Sequence, residues 1–308
     1  MSECVHPKPQ VVALLGIGEA AGAFIEGWDR HGCERFNAFD IKSDEPATRG
    51  WVEERCRHLA VVSCPSAAEA LRGAQLIFSL VTADQALNAA TEAAPHLTSG
   101  ALYIDDNSCS PQTKCQAAAR VEAAGGRYVD MAIMAPVHPR RHLTPVLLAG
   151  PHADAASRVL ASLGMRPDVA GDQVGQASTI KMVRSVMIKG IEALTAECML
   201  AARRAGVADA VLASLQASES GIDWRARASY NLERMIVHGG RRAAEMREVA
   251  RTITQLGLSD RMSRATAEWQ QVIGDLGLEG GENRLDDRAD RILAALDPSH
   301  SRRNRSTE

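Results

Sequence analysis

Short apolar runs alternate with longer stretches of mixed polarity through the first half of the chain. Seven of these runs have the length and the content of buried β-strands, and they lie at 11–15, 36–39, 60–63, 76–80, 101–105, 127–130 and 146–149. Apolar residues at helical spacing fill the intervening stretches, for example over 66–72 and 111–124. Strands that alternate with helices predict an α/β fold, with a doubly wound and mostly parallel sheet covered by helices on both faces.

The strand pattern stops near residue 173, and only helical periodicity follows. Residues 174–205 contain no proline and predict one helix that is longer than usual, which favours a spine between two domains. Further helices are predicted at 208–218, 223–236, 240–256, 260–275 and 285–296. We therefore expect an α/β domain over 1–172, an all-α domain over 173–296, and a polar, disordered tail over 297–308.

A glycine motif follows the first predicted strand directly. Gly16 permits a tight turn, Gly18 lets a pyrophosphate approach the backbone, and the small Ala21 lets a helix pack close to the strand. The helix expected from residue 20 to about 30 would direct its N–H groups at the phosphates. The intervening residues of the motif are further candidate cofactor contacts, namely Ile17, Glu19 and Ala20. The alternative is an ordinary tight strand-to-helix turn.

A second apolar run ends in Asp40, about 22 residues past Gly18. This spacing is near the roughly 20 residues expected for a carboxylate that binds the ribose hydroxyls, so residues 11–40 predict a Rossmann-type dinucleotide site. A 2′-phosphate would meet like charge at Asp40, which favours NAD over NADP, although Lys42 could neutralise a phosphate. The alternative for Asp40 is a surface turn acid. The strand at 76–80 adds Val81 and Thr82 as candidate cofactor contacts.

The composition narrows the function classes. A net charge of −3 provides no basic field for nucleic acid, and 4% aromatic residues provide few stacking platforms. The seven cysteines form no CxxC pair, which predicts reduced thiols in the cytoplasm and no metal site. The N-terminus lacks the layout of a signal peptide, and no run of about 18 apolar residues predicts a membrane span.

Three further segments, together with the domain order, resemble the β-hydroxyacid dehydrogenase superfamily, which includes 3-hydroxyisobutyrate and 6-phosphogluconate dehydrogenases. They are Tyr-Ile-Asp-Asp-Asn-Ser-Cys-Ser-Pro at 103–111, Val-Asp-Met-Ala-Ile-Met-Ala-Pro-Val-His at 129–138 and Gly-Gln-Ala-Ser-Thr-Ile-Lys-Met-Val-Arg-Ser at 175–185. The resemblance covers almost the whole chain. Met235–Met246 further resembles a poorly characterised, phosphogluconate dehydrogenase-like branch.

The resemblance implies a catalytic role for Lys181, which matches the family's lysine at the start of the long helix. A lysine desolvated in a cleft can accept the proton of a substrate hydroxyl, or return it to a carbonyl oxygen. Ser185 stands at the place of the family's asparagine, and Arg184 shares its helix face. The alternative for Lys181 is a solvated surface charge.

The segment at 103–111 implies that Asn107 and Ser108 contact the nicotinamide or the substrate, since open α/β sheets bind ligands at this edge. It also supplies a good helix cap in Ser110-Pro111, and both roles can hold at once.

The segment at 129–138 departs from the family's pattern. Met134 stands where the family has serine, and Ala135-Pro136 replaces two glycines whose N–H groups would bind a carboxylate. Met134 therefore suggests a larger or more apolar substrate. Arg140 or Arg141 could replace the lost donors, or could belong to a solvated basic loop.

Two other positions bear on the reaction. Ile188 stands where decarboxylating relatives carry a glutamate, which disfavours decarboxylation, and Lys181 itself argues against the imine reductases, which usually lack it. Arg241 or Arg242 could bind an anionic substrate, or the two could form a structural ion-pair network. His238 is expected to cap a helix before Gly239-Gly240.

The sequence therefore predicts a cytoplasmic, homodimeric oxidoreductase that uses NAD, or else NADP. It would exchange a hydride with a small, anionic 3-hydroxy acid or a related carbonyl compound. An imine or apolar-carbonyl reductase and a non-catalytic dinucleotide sensor are the alternatives.

Overall fold

The computed structural model describes residues 8–297, and the expected tail over 298–308 lies outside the described residues. The described residues form two compact units, which divide between Met182 and Val183. The first unit holds every strand found among the described residues, and the second is helical. The expected α/β fold with an all-α C-terminal part is confirmed.

Eight strands form one sheet in the order β3-β2-β1-β4-β5-β6-β7-β8. In chain order they are Val11–Leu15, Arg35–Phe39, Val62–Ser63, Leu76–Ser79, Leu102–Asp105, Arg127–Ile133, Val146–Ala149 and Pro167–Gly171. All neighbouring strands are parallel except β6 and β7, which are antiparallel. The edge strand β8 was not expected, because its exposed and polar residues give no apolar run.

Helices separate the strands of the first unit. They are α1 to α6, at Glu19–Ile25, Pro46–His58, Ala67–Leu71, Ala86–Ala93, Pro111–Ala123 and Ala153–Ser162. Helix α1 ends earlier than the expected residue 30. Alternate residues of β1 contribute to two cores: Val12 and Leu14 pack with Phe24 on one face, and Ala13 and Leu15 pack on the other. Both faces of the sheet are therefore covered, as a parallel sheet requires.

Five helices complete the described chain. They are α7 to α11, at Gln176–Arg204, Ala208–Ser218, Trp224–Gln255, Arg261–Gly274 and Leu285–Leu296. Leu232, Met235 and Ile273 lie in the apolar core of the second unit.

The helix break expected at Gly239-Gly240 is wrong, since α9 continues through both glycines for 32 residues. His238 is therefore inside a helix and does not cap one. A Cβ on Gly239 would lie 2.5 Å from the Gln270 carbonyl oxygen of α10. The glycine allows two helices to cross in close contact, and it does not end either one.

Candidate functional site

The loop between β1 and α1 has the geometry of a phosphate cradle. Gly16 has a φ of +91°, and a Cβ there would lie 2.5 Å from the Leu80 carbonyl oxygen, so the turn accommodates only glycine. Gly18 has no atom within 4 Å of its Cβ position. No side chain caps α1 at Gly18, which leaves backbone N–H groups of its first turn, from Glu19 to Ala21, to an external acceptor.

Asp40 lies at the end of β2 and accepts a hydrogen bond on each carboxylate oxygen. The donors are the backbone N–H groups of Ile17 and Lys42, both at 3.0 Å. The carboxylate therefore ties β2 to the glycine loop. Each oxygen retains a lone pair that a ribose hydroxyl could use.

Arg55 of α2 supports the glycine loop from behind. Its guanidinium donates to the carbonyl oxygens of Ile17 at 2.5 Å and Gly18 at 2.8 Å. This guanidinium and the ammonium of Lys42 both lie near the half-exposed ring of Trp51, at 5.7 and 5.1 Å from its centroid. Sequence analysis missed Arg55, because an arginine on a charged amphipathic helix gives no distinguishing pattern.

Asn107 joins the ends of β4 and β5. Its Nδ2 donates to Ser79 Oγ at 2.9 Å and Asp105 Oδ1 at 2.7 Å, and its Oδ1 accepts from the Val81 N–H at 2.7 Å. Both amide hydrogens are used, and the residue is buried. Thr82 follows Val81 on the surface, at the start of a short 3₁₀ turn.

Ser108 and Lys181 meet in the first unit. The ammonium of Lys181 donates to Ser108 Oγ at 2.7 Å, and both side chains are half-buried. The two residues are 73 positions apart in the chain. A proton donor and a hydroxyl are thus placed together at the carboxyl edge of the sheet.

A buried ion cluster lies beneath this pair. Lys114 Nζ of α5 lies 2.9 Å from Asp105 Oδ1 and 3.4 Å from Asp130 Oδ1, and all three side chains are inaccessible to solvent. Burial alone would lower the pKa of Lys114, but the two carboxylates raise it well above its ordinary value. Tyr128 donates to the other oxygen of Asp105 at 2.6 Å.

Asp130 fastens the first turn of α7 to the sheet. Its carboxylate accepts from the N–H groups of Gly175 and Ser178, both at 3.0 Å, and from Ser178 Oγ at 2.6 Å. Lys181 follows Ser178 by less than one turn. The buried cluster therefore positions both partners of the Ser108–Lys181 contact, one through Asp105 and Asn107 and the other through Asp130.

Asp106 is buried next to this cluster, and neither carboxylate oxygen makes a hydrogen bond of full geometry. Burial raises the pKa of Asp106 to about 7 and Asp105 adds to this rise, while Lys181, Lys114 and the Ile133 N–H lower it. Sequence analysis did not identify Asp106 as a site residue.

The segment after β6 contributes Met134, which is half-buried and packs with Ala132, Ala149 and Ala177. Arg140 and Arg141 follow on an exposed turn. Arg141 Nε lies 3.4 Å from Glu26 Oε2, at the end of α1.

The second unit places the remaining candidates on α7 and α9. Ser185 is buried and accepts from Lys189 Nζ at 3.1 Å, and Arg184 beside it is exposed. Arg241 is half-exposed and lies 3.5 Å from Glu245. Arg242 differs from its neighbour in being buried.

Arg242 lies against Glu192 of α7. Its Nη1 donates to both carboxylate oxygens, at 2.6 and 2.5 Å, and Gln270 Nε2 donates to the same carboxylate at 3.0 Å. Burial raises the pKa of Glu192, against the lowering by Arg242. Arg242 thus forms part of an ion-pair network between helices. This was one of the two roles that the sequence left open for it, the other being to bind an anionic substrate.

Within residues 8–297, no helix has the length and hydropathy needed to cross a membrane. The same residues include no group of three or more His, Cys, Asp or Glu side chains placed to hold a metal ion.

Each of the two parts of the chain matches a known protein family. Residues 12–166 match the family described as the NAD binding domain of 6-phosphogluconate dehydrogenase, and residues 202–273 match a domain family of unknown function. A conserved hypothetical protein of Sinorhizobium meliloti is 36% identical, with a TM-score of 0.74 over 96% of this chain and 99% of that one.

Two other relatives are similar over most of this chain. A conserved protein of unknown function, reported as structurally similar to 3-hydroxyacid dehydrogenases, is 28% identical, with a TM-score of 0.68 over 93% of this chain and all of that one. The 3-hydroxyisobutyrate dehydrogenase of Pseudomonas aeruginosa is 27% identical over 69% of this chain and 71% of its own length.

Proposed function

Because the chain belongs to the family of the NAD binding domain of 6-phosphogluconate dehydrogenase, we propose that it is a nicotinamide-dependent dehydrogenase. The substrate is a 3-hydroxy acid or a related alcohol or carbonyl compound. The observation that carries the proposal is the 2.7 Å contact of Lys181 with Ser108, at the sheet edge that the glycine loop also borders.

The residues of the glycine loop fit a dinucleotide. The open space at Gly18 and the uncapped first turn of α1 suit a pyrophosphate, and the spare lone pairs of Asp40 suit ribose hydroxyls. Asp40 favours NAD. Lys42, whose ammonium lies 5.1 Å from the centroid of the Trp51 ring, could instead neutralise the 2′-phosphate of NADP.

The cofactor, when bound, supplies the acceptor or donor of the hydride. Lys181 does the proton chemistry: as a neutral amine it accepts the proton of the substrate hydroxyl, and as an ammonium it returns that proton to a carbonyl oxygen. Ser108 holds the Lys181 nitrogen in place and presents its own hydroxyl to the same oxygen. Asn107 anchors the segment that carries Ser108, because its amide hydrogens bond to Ser79 and Asp105.

The substrate is small and anionic. Arg184, Ser185 and Arg241 are the proposed groups for its anionic end, and Met134 is proposed to contact its apolar part. Ile188 occupies the position of the glutamate in decarboxylating relatives, so the reaction proceeds without loss of CO₂.

A homodimer in the cytoplasm completes the proposal. Val183, Met187 and Leu194 are 44–63% exposed along one face of α7, where a second copy could cover them. The six cysteines among the described residues are free, which supports a reducing compartment. Sedimentation velocity should give a dimer that Met187→Lys dissociates.

The deciding experiment follows reduced-nicotinamide absorbance with NAD or NADP and a panel of 3-hydroxy acids. Lys181→Ala should lower turnover by roughly 10²–10⁴, the usual worth of a positioned acid–base group. Lys181→Arg should fail equally, because arginine keeps the charge but cannot release a proton. Binding of NADH by both variants is the control for folding.

Two other outcomes would replace the proposal. Turnover of cyclic imines without turnover of hydroxy acids would establish an imine reductase. Tight NADH binding without turnover of any substrate, and no effect of Lys181→Ala in cells, would establish a dinucleotide sensor.

A further inference from the structure

The part of α7 that belongs to the second unit carries a row of uncharged residues at its surface. Val183, Met187 and Leu194 are large and apolar yet exposed, and Cys198 is exposed in the same row. Together with Gly190 they recur at intervals of three or four residues, which is the spacing of one helix face. We call these five residues the α7 face. A continuous exposed apolar surface of this kind is typical of a protein–protein contact.

The α7 face is symmetric about its own midpoint, which lies between residues 190 and 191. Met187 and Leu194 are equally far from this midpoint along the helix, and so are Val183 and Cys198. Both members of each pair are exposed. The face therefore presents an exposed, uncharged side chain at the same distances in either direction along the helix. A contact with an unrelated protein does not require this symmetry, whereas a contact between two identical chains across a two-fold axis does.

The charges beside the α7 face follow the same symmetry. Arg184 and Glu197 are both exposed and equally far from the midpoint, and the helical repeat places them on opposite flanks of the face. A two-fold rotation about an axis through the midpoint reverses the helix direction and also exchanges the flanks. It therefore brings Arg184 of one copy opposite Glu197 of the other, which is a complementary pair of charges.

The centre of the α7 face allows a second helix to approach closely. A Cβ on Gly190 would have no atom within 4 Å, so the space in front of this residue is open. The missing side chain lets another backbone come near. The second unit already uses a glycine in this way, since Gly239 lets α9 and α10 cross in close contact.

We propose that two copies of this chain associate through the α7 face, with their α7 helices antiparallel and the two-fold axis at this midpoint. Met187 then contacts the partner's Leu194, and Val183 contacts the partner's Cys198. Each contact occurs twice, because a two-fold interface uses the same surface of both copies. The inference rests on the homodimer of the proposed function and adds the residues and the direction of its interface. It does not depend on the reaction.

The first test is a disulfide between the native Cys198 and a cysteine introduced by Val183→Cys. Within one chain these two positions lie roughly 22 Å apart along the same helix, which is too far for a disulfide. A bond between them must therefore join two chains. Mild oxidation with copper phenanthroline should give a covalent dimer on a non-reducing gel, and peptide mass spectrometry should identify the link between positions 183 and 198.

Val237→Cys is the matched control for this cross-link. Val237 is a valine of α9 that is 46% exposed, against 44% for Val183. It lies away from the α7 face, so Val237→Cys should give no more covalent dimer through Cys198 than the wild type does. A parallel arrangement of the two helices would instead join the two native Cys198 thiols in the wild type. That result would overturn the proposal.

The second test exchanges the charges beside the α7 face. Glu197→Arg places like charges opposite each other twice per dimer, so dimerisation should weaken by roughly 3- to 30-fold. Arg184→Glu combined with Glu197→Arg should restore the wild-type affinity, because each charge again meets its opposite. Glu268→Arg, at an exposed acid of α10, changes the net charge equally and should leave the affinity unchanged. Sedimentation velocity over a concentration series gives the dissociation constants.

The results separate this interface from the proposed function. A dimer that shows neither the cross-link between positions 183 and 198 nor the rescue by charge exchange would overturn the α7 interface and leave the homodimer in place. A monomer at every concentration measured would overturn both. Turnover of hydroxy acids is measured independently, so neither result bears on whether the protein is a dehydrogenase.

Discussion

Lys114 Nζ lies 2.9 Å from Asp105 Oδ1 and donates to the Asp105 carbonyl oxygen at 2.5 Å, and neither side chain is accessible to solvent. Removal of one partner from a buried ion pair leaves the other charge uncompensated. We therefore expect Lys114→Met to lower the free energy of unfolding by about 3–5 kcal/mol.

Denaturant unfolding measures this loss, and Arg57→Met is the matched control. Arg57 pairs with Glu54 on the surface, where an ion pair contributes at most about 1 kcal/mol. Equal losses in the two variants would show that the Lys114 cluster is not a major contribution to stability.

Alanine substitutions at the two glycines of the dinucleotide loop should affect different properties, namely cofactor binding at one and stability at the other. Gly18→Ala places a methyl group in open space, so folding should be unaffected while NADH affinity falls by roughly tenfold, about 1.4 kcal/mol. Gly16→Ala should lower stability by more than Gly73→Ala. Both carry a positive φ, which costs about 1–2 kcal/mol for alanine, but only Gly16 also meets a backbone oxygen.

Calorimetry for stability and NADH fluorescence for binding separate these effects. An unchanged NADH affinity in Gly18→Ala would show that the pyrophosphate does not bind at this loop.

Asp40 should determine the choice between the two nicotinamide cofactors. Asp40→Ala removes acceptors for the ribose hydroxyls, so NADH affinity should fall by roughly 10- to 100-fold, or about 1.5–3 kcal/mol. NADPH affinity should hold or rise, because a 2′-phosphate no longer meets like charge. Asp44→Ala, at an exposed acid nearby, is the control, and an equal loss for both cofactors would contradict the expected role.

Alanine substitutions at two adjacent glycines of α9 should change the stability of the protein in opposite directions. Gly239→Ala places a Cβ 2.5 Å from the Gln270 carbonyl oxygen, whereas the nearest atom to a Cβ on Gly240 is a side-chain nitrogen at 4.0 Å. Gly240→Ala should stabilise the helix by up to about 1 kcal/mol, the difference in helix propensity. Gly239→Ala should destabilise the second unit, and thermal unfolding compares the two directly.

Substitutions of two adjacent arginines in the same helix should also have different effects on stability and on substrate binding. Arg242→Met leaves Glu192 buried without its cation, so the free energy of unfolding should fall by about 3–5 kcal/mol. Arg241→Met should change stability little, since its pair with Glu245 is half-exposed, but should raise KM for an anionic substrate. An unchanged KM in Arg241→Met would show that Arg241 does not bind the substrate.

The sheet was largely predictable because parallel strands buried on both faces leave continuous apolar runs between helices. The edge strand β8 was not, since Asp168 and Val169 are exposed and lack that pattern. Gly239 was expected to end a helix, but its small size instead allows α9 and α10 to cross in close contact. The sequence around Gly239 does not distinguish these two roles, because the second depends on Gln270, which is distant in the chain.

The backbone of the glycine loop was predictable from its motif, as at Gly16, whose φ is +91°. Lys114 was missed, although its spacing with Ala117, Ala118 and Val121 places it on the apolar face of α5. That spacing is the available signal, because a lysine there needs a buried partner. Asp106 has no comparable signal, since two adjacent acids after a strand do not reveal which one is paired.

The attachment of α7 by Asp130 has a consequence for synthesis on the ribosome. Asp130 precedes Ser178 by 48 residues, and translation at 5–20 residues per second adds that length in roughly 2 to 10 s. During that interval β7 and β8 are still being added, and this carboxylate lacks the N–H groups that later satisfy it. The hydrogen bonds of Asp130 to α7 therefore cannot form before the start of the long helix has been synthesised.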